Sequence, residues 1–177
     1  GGVAIQFGNT DINMNGVLIG NNDATVGGGL YCNGTDNSVF FENSLGVASI
    51  LNNRATTNGG GVYATQGCRF TSYVGGLLQG IILNSAAENG GGIYASFDAQ
   101  INLQGHRWCF TFMGSFMCLG NNDNPVNLLS NKADSDNDNN GVGGGVYATG
   151  TNTKVTVTNA VVDGNTAFHG GVRAFDF

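Results

Sequence analysis

The chain has 177 residues, with twelve Asp and Glu against six Lys and Arg and a formal net charge of −6. That acid excess excludes nucleic acid as a partner, since phosphate binding needs a basic stripe. No apolar run reaches the roughly 18 residues of a membrane helix, so the segment is not expected to insert into a membrane. Only 10 % of the residues are charged, whereas 31 are Gly; such a surface suits a surface protein or an assembled fibre better than the cytosol.

Along the chain a glycine pair followed by an aliphatic residue recurs at Gly1-Gly2-Val3, Gly28-Gly29-Leu30, Gly60-Gly61-Val62, Gly91-Gly92-Ile93, Gly144-Gly145-Val146 and Gly170-Gly171-Val172. A second phrase, aliphatic-x-x-Asn-x-Ala, precedes the last five pairs, at Ile19–Ala24, Ile50–Ala55, Ile81–Ala86, Leu128–Ala133 and Val162–Ala167. Two phrases recurring in one order mean a stack of similar units. The steps between pairs are 27, 32, 31, 53 and 26 residues, and no stretch carries apolar residues at helical spacing. Short alternations appear instead, as in Val17-Leu18-Ile19, Gln100-Ile101-Asn102-Leu103 and Lys154-Val155-Thr156-Val157-Thr158, which read as strands of three to five residues. The expected fold is all-β, a right-handed parallel β-helix (β-solenoid) of about five coils over residues 1–177. The long step implies two loop insertions, at about 106–125 and 134–140.

Stacking the coils aligns several files. Leu30, Val62, Ile93, Val146 and Val172 alternate with Tyr31, Tyr63, Tyr94, Tyr147 and Arg173, and then with Cys32, Ala64, Ala95, Ala148 and Ala174. With aliphatic and small residues facing the core, the tyrosines face outward, in ring-stacking range at a coil spacing of about 4.8 Å. They form a candidate contact face. Asn22, Asn53, Asn84, Asn131 and Asn165 are expected to form an internal asparagine ladder, with exposed turn asparagines as the alternative. The glycines fit positions needing positive φ or a close approach between coils.

The phrases Ile50-Leu51-Asn52-Asn53-Arg54-Ala55 with Gly59-Gly60-Gly61-Val62-Tyr63, and Val162-Asp163-Gly164-Asn165-Thr166-Ala167 with Gly170-Gly171-Val172, resemble the paired repeats of chlamydial polymorphic membrane proteins. That family is marked by Phe-x-x-Asn and Gly-Gly-Ala-aliphatic phrases. Here an aliphatic replaces the Phe, and a third Gly commonly precedes the pair where the family has Ala after it. The resemblance covers nearly the whole chain outside the insertions. It implies a surface-exposed, autotransporter-like passenger or adhesin and supplies no catalytic residues.

The chain begins and stops within the glycine phrase, and neither end has a polar capping coil. Solenoids normally shield their terminal coils, so a segment of a longer chain is expected. The alternative is the repeating subunit of an extracellular filament, in which copies of the chain are their own partners. The four cysteines suit export. Cys109 and Cys118 bracket a hairpin-length stretch in the long insertion, and Cys32 and Cys68 lie on adjacent coils; three pairings remain open. The histidines and cysteines have no zinc-like spacing. Asn33-Gly34-Thr35 is the sole glycosylation sequon.

Asp134, Asp136 and Asp138 alternate as carboxylates do in calcium loops, and calcium is the only cofactor the sequence suggests. The loop lacks Gly at the sixth position and Glu at the twelfth, where Gly145 stands, which favours a solvated polar loop. His106 to Cys118 gathers the one Trp, Trp108, with three Phe and two Met. That stretch either packs back on the coil or offers a docking patch. Catalysis has little support. Asp11, Asp36, Asp98 and Asp163 stand apart, and Arg54, Arg69, Arg107, Lys132, Lys154 and Arg173 do not recur in register with them. His106 and His169 have no nucleophile phrase nearby. Thr151, Thr153, Thr156 and Thr158 occur in one coil only, which argues against an ice-binding face. The expected function is a non-enzymatic structural or adhesive segment, extracellular or at the cell surface, meeting surface glycans or other surface proteins. A carbohydrate-active lyase or hydrolase is the alternative drawn from the fold alone.

Overall fold

The computed structural model describes residues 1–42, 48–73, 79–105, 109–112, 115–118 and 124–174, with backbone alone at 109–112, 115–118 and 172–174. Parallel strands stack into a β-solenoid, and no helix occurs among the described residues. The first wall contains Val3–Gln6, Leu30–Asn33, Val62–Thr65, Ile93–Ser96, Val146–Thr149 and Val172–Ala174. The second contains Asp11–Asn15, Ser38–Glu42, Arg69–Tyr73, Gln100–Gln104 and Lys154–Thr158. The third contains Leu18–Gly20, Ser49–Leu51, Gly80–Ile82, Val126–Leu129 and Ala160–Asp163. A fourth, narrow file of Asp23–Ala24, Arg54–Ala55 and Ser85–Ala86 follows the asparagine turn, and single bridges at Lys132 and Thr166 continue it.

Strand alternation decides what fills the interior. On the first wall Leu30, Val62 and Ile93 are buried in one file and Cys32, Ala64 and Ala95 in the next. The second wall contributes Val39, Phe41, Phe70, Ile101 and Leu103, and the third Ile50, Ile81 and Leu128. All belong to one continuous cluster. Each large side chain sealed this way contributes about 1.5–3 kcal/mol of transfer free energy.

The five repeat asparagines form one hydrogen-bonded file at the corner after the third wall. Nδ2 of Asn22 donates to Oδ1 of Asn53 at 2.9 Å, Asn53 to Asn84 at 3.0 Å, Asn84 to Asn131 at 3.0 Å, and Asn131 to Asn165 at 2.9 Å. Each accepting oxygen also takes the backbone N–H of the preceding asparagine in the file, as where Asn53 N donates to Asn84 Oδ1 at 2.9 Å. The second Nδ2 proton of Asn53, Asn84 and Asn131 goes to a carbonyl of the coil before, from Ile19, Ile50 and Ile81 respectively, each at 2.9 Å. Both donors and both lone pairs of these three amides are therefore used, which is why they can be no more than 1 % exposed.

The glycine phrase faces this ladder. A Cβ at Gly61 would stand 2.6 Å from the carbonyl oxygen of Gly92 and 3.0 Å from Nδ2 of Asn84. The second glycine of the pair thus gives the room in which an amide lies flat against the neighbouring backbone. Positive φ falls instead on the residue before the pair, at Gly27, Gly59, Gly90 and Gly143. The left-handed glycine is crowded as well, a Cβ at Gly59 falling 2.5 Å from the Val62 carbonyl oxygen, whereas Gly61 is crowded without a positive φ.

A second left-handed file precedes the ladder: Asn21, Asn52, Leu83, Ser130 and Gly164 have φ of 58°, 53°, 56°, 52° and 63°. The reversal turns the chain sharply out of the third wall and points the following asparagine inward.

Between Gln100–Gln104 and Val126–Leu129 the chain leaves the stack, and the described part of that excursion is an antiparallel hairpin of Cys109–Phe112 and Ser115–Cys118. Register resumes with Leu128 beside Ile81 and Val162. A second loop leaves between Lys132, bridged to Ser85, and Val142, bridged to Asn89.

Two stability changes are expected. Leu83, 54 % exposed at φ 56°, holds a backbone state that costs an L-residue about 1–2 kcal/mol; Leu83→Asn should raise unfolding free energy by about 1 kcal/mol in urea titration. Gly61→Ala should lower it by about 1–3 kcal/mol through overpacking against Gly92 and Asn84.

Candidate functional site

On the outside of the first wall Tyr31, Tyr63, Tyr94 and Tyr147 stack as a single row. Ring centroids lie 5.4, 4.9 and 5.4 Å apart with interplanar angles of 9°, 2° and 28°. Parallel register gives this spacing, because each tyrosine sits beside its counterpart on the next coil. The rings are half-buried. Burial raises the Tyr63 phenol above its ordinary value, and the neighbouring Tyr94 and Tyr31 add to the shift. Burial likewise raises that of Tyr94, partly offset by a hydrogen bond with Ser96. The row offers a flat aromatic strip with little charge. Trp108, the remaining member of the proposed contact face, lies outside the described residues.

Cys32 and Cys68 form a disulfide, with Cα atoms 6.0 Å apart. The link runs from the first wall of one coil to the turn ahead of the second wall in the next, and both residues are fully buried. Cys109 and Cys118 stand directly opposite each other across the hairpin. Opposed residues of an antiparallel pair have Cα atoms about 4.5–5.5 Å apart, inside the disulfide range of about 4.4–6.8 Å. Their side chains lie outside the described residues.

The second loop brings one oxygen from each of Asp134, Asp136 and Asp138 within 4.8 Å of the others. Asp134 is 9 % exposed, and its Oδ1 accepts the Asn139 N–H at 3.1 Å. Asp136 and Asp138 are exposed, and the Asp138 carboxylate accepts both nitrogens of Asn140. Lys132 extends its ammonium to Oδ1 of Asn137 at 2.9 Å. The loop can thus present three of the roughly six to eight oxygens that Ca²⁺ takes, from a segment already shaped by its own hydrogen bonds.

Asn33, the sequon residue, ends a first-wall strand paired on both sides. Its Nδ2 donates to the Tyr31 hydroxyl at 3.0 Å, so a glycan there would displace that contact. Asp11 lies on the second wall, Asp163 on the third, and Asp36 and Asp98 in turns before second-wall strands. The structure does not gather them.

Two features went unnoticed in the sequence. Asn58 and Asn89 repeat the ladder contact in miniature, with N and Nδ2 of Asn89 donating to Oδ1 of Asn58 at 3.1 and 2.9 Å; their spacing of 31 residues equals that between Asn53 and Asn84 and was a usable signal. On the second wall Arg69, Gln100 and Lys154 stand side by side. Aligning the outward residues of the alternating strands would have shown that column.

No family model, curated protein or solved structure matches the chain.

The disulfide closes a separation of 36 residues, for which chain entropy gives about 4 kcal/mol. Cys32→Ala with Cys68→Ala should lose up to that amount, read from urea midpoints with and without reductant. The tyrosine row sets the alkaline limit. Unfolded tyrosines ionise near about pH 10, whereas Tyr63 and Tyr94 keep their protons to higher pH in the fold. Their contribution is complete below the unfolded value and is lost as pH rises through the raised folded values. A phenolate absorbance titration should show late-titrating phenols, with the urea midpoint falling over the same window.

Proposed function

We propose that this chain is a non-enzymatic structural or adhesive stretch of an extracellular or cell-surface β-solenoid. The observation that carries the reading is that the repeated positions bond to their own counterparts on the next coil: amide to amide along the ladder, ring to ring along the tyrosine row. Such repetition builds length and stiffness, and leaves the outer face of the tyrosine row and the loops to meet a partner. Compartment is argued from the buried disulfide between coils, which suits an oxidising environment. The resemblance of the Asn and Gly-Gly phrases to chlamydial polymorphic membrane proteins supports the same setting. Surface glycans and other surface proteins are the partners such a row and such loops would meet.

A second reading, the repeating subunit of a filament, draws on the direction of the ladder. Every amide-to-amide bond of the ladder is donated toward the coil that follows in sequence. Copies stacking through Asn165 and Asn22 would therefore join head to tail, a heterologous contact that extends without closing.

Antibodies against the chain, applied to intact cells of its source, should label the surface, and the purified chain should leave pectins, alginate and chitin uncleaved. Labelling only after lysis would contradict the surface role. Turnover abolished by a single Asp→Asn change would replace the reading with the enzymatic one, and fibres formed by a native chain of 177 residues would select the filament.

A further inference from the structure

We propose that the second wall carries a binding groove for an anionic oligosaccharide, centred between Arg69 and Lys154. This rests on the solenoid geometry alone and involves neither the tyrosine row nor the proposed surface role. Alternation in the second-wall strands turns Phe70, Ser72, Ile101 and Leu103 inward, where all are buried. Arg69, Thr71, Gln100, Asn102, Lys154 and Thr156 are thereby left on the outer face. They line an open groove of about 300 Å³, with Ile101 as part of its floor.

Register orders the groove into two columns. Arg69, Gln100 and Lys154 form one; Thr71, Asn102 and Thr156 form the other. The two cations are two strand spacings apart, about 9.6 Å. Among the described residues neither cation has a hydrogen-bond or ion-pair partner, nor do the side chains of Thr71, Asn102 and Thr156. A third of the chain's six Lys and Arg thus face one groove with no acid paired to them among the described residues, in a protein that is acidic as a whole. Asp98, two residues before Gln100 in the turn that leads into the groove, accepts a hydrogen bond from the Asn152 amide at 2.9 Å. Asp11 closes the far end of the column, beyond Ser38. An anionic segment is therefore confined to the strands from Arg69–Tyr73 to Lys154–Thr158.

The remaining chemistry selects a sugar. Phe40 sits beside Thr71, and its ring lies 5.3 Å from that of Tyr73. This places an aromatic surface at the edge of the groove for the C–H face of a pyranose. Asn102 and the threonines supply donors and acceptors suited to vicinal hydroxyls, while Arg69 and Lys154 take carboxylate or sulfate. Gln100 adds its Oε1 as an acceptor, because its Nε2 is held by the Asp98 and Asn152 carbonyls. An acidic peptide fits less well. Arg69–Tyr73 and Gln100–Gln104 are paired along both edges, and Lys154–Thr158 ends the sheet among the described residues, so a peptide adding as a strand would lie beyond Lys154 and away from Arg69.

The test is calorimetry at low salt with the full chain against four probes: hexagalacturonate, a heparin hexasaccharide, neutral maltohexaose and hexaglutamate. At least one acidic oligosaccharide should bind, more weakly as salt rises, and well ahead of maltohexaose and hexaglutamate; whichever acidic probe binds identifies uronate or sulfate as the anion. Arg69→Gln and Lys154→Gln should each weaken binding about 2- to 5-fold, as expected for exposed charge pairs. The double variant should lose more, with Arg69→Lys largely retaining affinity and melting unchanged throughout. Failure of both acidic oligosaccharides to bind, equal binding of maltohexaose or hexaglutamate, or unchanged affinity in the double variant would overturn the proposal.

Discussion

The rest of the structure depends on a buried amide having all of its hydrogen bonds made. An asparagine side chain sealed from water is costly unless both donors and both lone pairs find partners. Here each interior amide does so by bonding one coil ahead and one coil behind. That requirement fixes the vertical register of the stack, since a coil displaced by one residue would strand polar groups on every neighbour. It also explains the glycine phrase: an amide lying flat against the adjacent coil leaves no room for a Cβ at Gly61. The two phrases in the sequence are the two sides of one contact.

With register fixed, the walls follow with little further specification. Three-residue strands on the third wall are too short to pair stably alone, yet each lies between the ladder corner and the longer second-wall strands. The left-handed residues before each ladder asparagine create the corner, and Leu83 shows that position is dictated by the stack and not by local preference. The same register produces the tyrosine row and the cationic column on the second wall. Surface patterning is thus a by-product of coil stacking, available for binding wherever outward positions differ from coil to coil.

The architecture was legible because its constraints act on residue types that are hard to replace. Buried asparagines and close-approach glycines recur at fixed offsets, and the aliphatic files alternate with tyrosines. Which glycine of each triplet carries the positive φ was not legible, because positive φ and close approach select the same residue. Nor was the left-handed file, since after Asn21 and Asn52 its members Leu83, Ser130 and Gly164 share a backbone angle and no side-chain chemistry. Among three cysteine pairings only coordinates could place Cys32 against Cys68. The second-wall groove was hidden for a different reason. Arg69, Gln100 and Lys154 lie on three separate coils, and the long insertion disguises their common offset.

The most direct test of the ladder's role is the unfolding free energy of Asn84→Leu, which keeps the volume and apolar packing of the site while removing its amide. The change leaves the Asn53 backbone N–H and one of its Nδ2 protons buried without an acceptor, at about 1–3 kcal/mol each. A loss of about 3 kcal/mol or more in urea is the result the account predicts. A loss below about 1 kcal/mol would mean that hydrophobic filling alone holds the coils in register, and would contradict it.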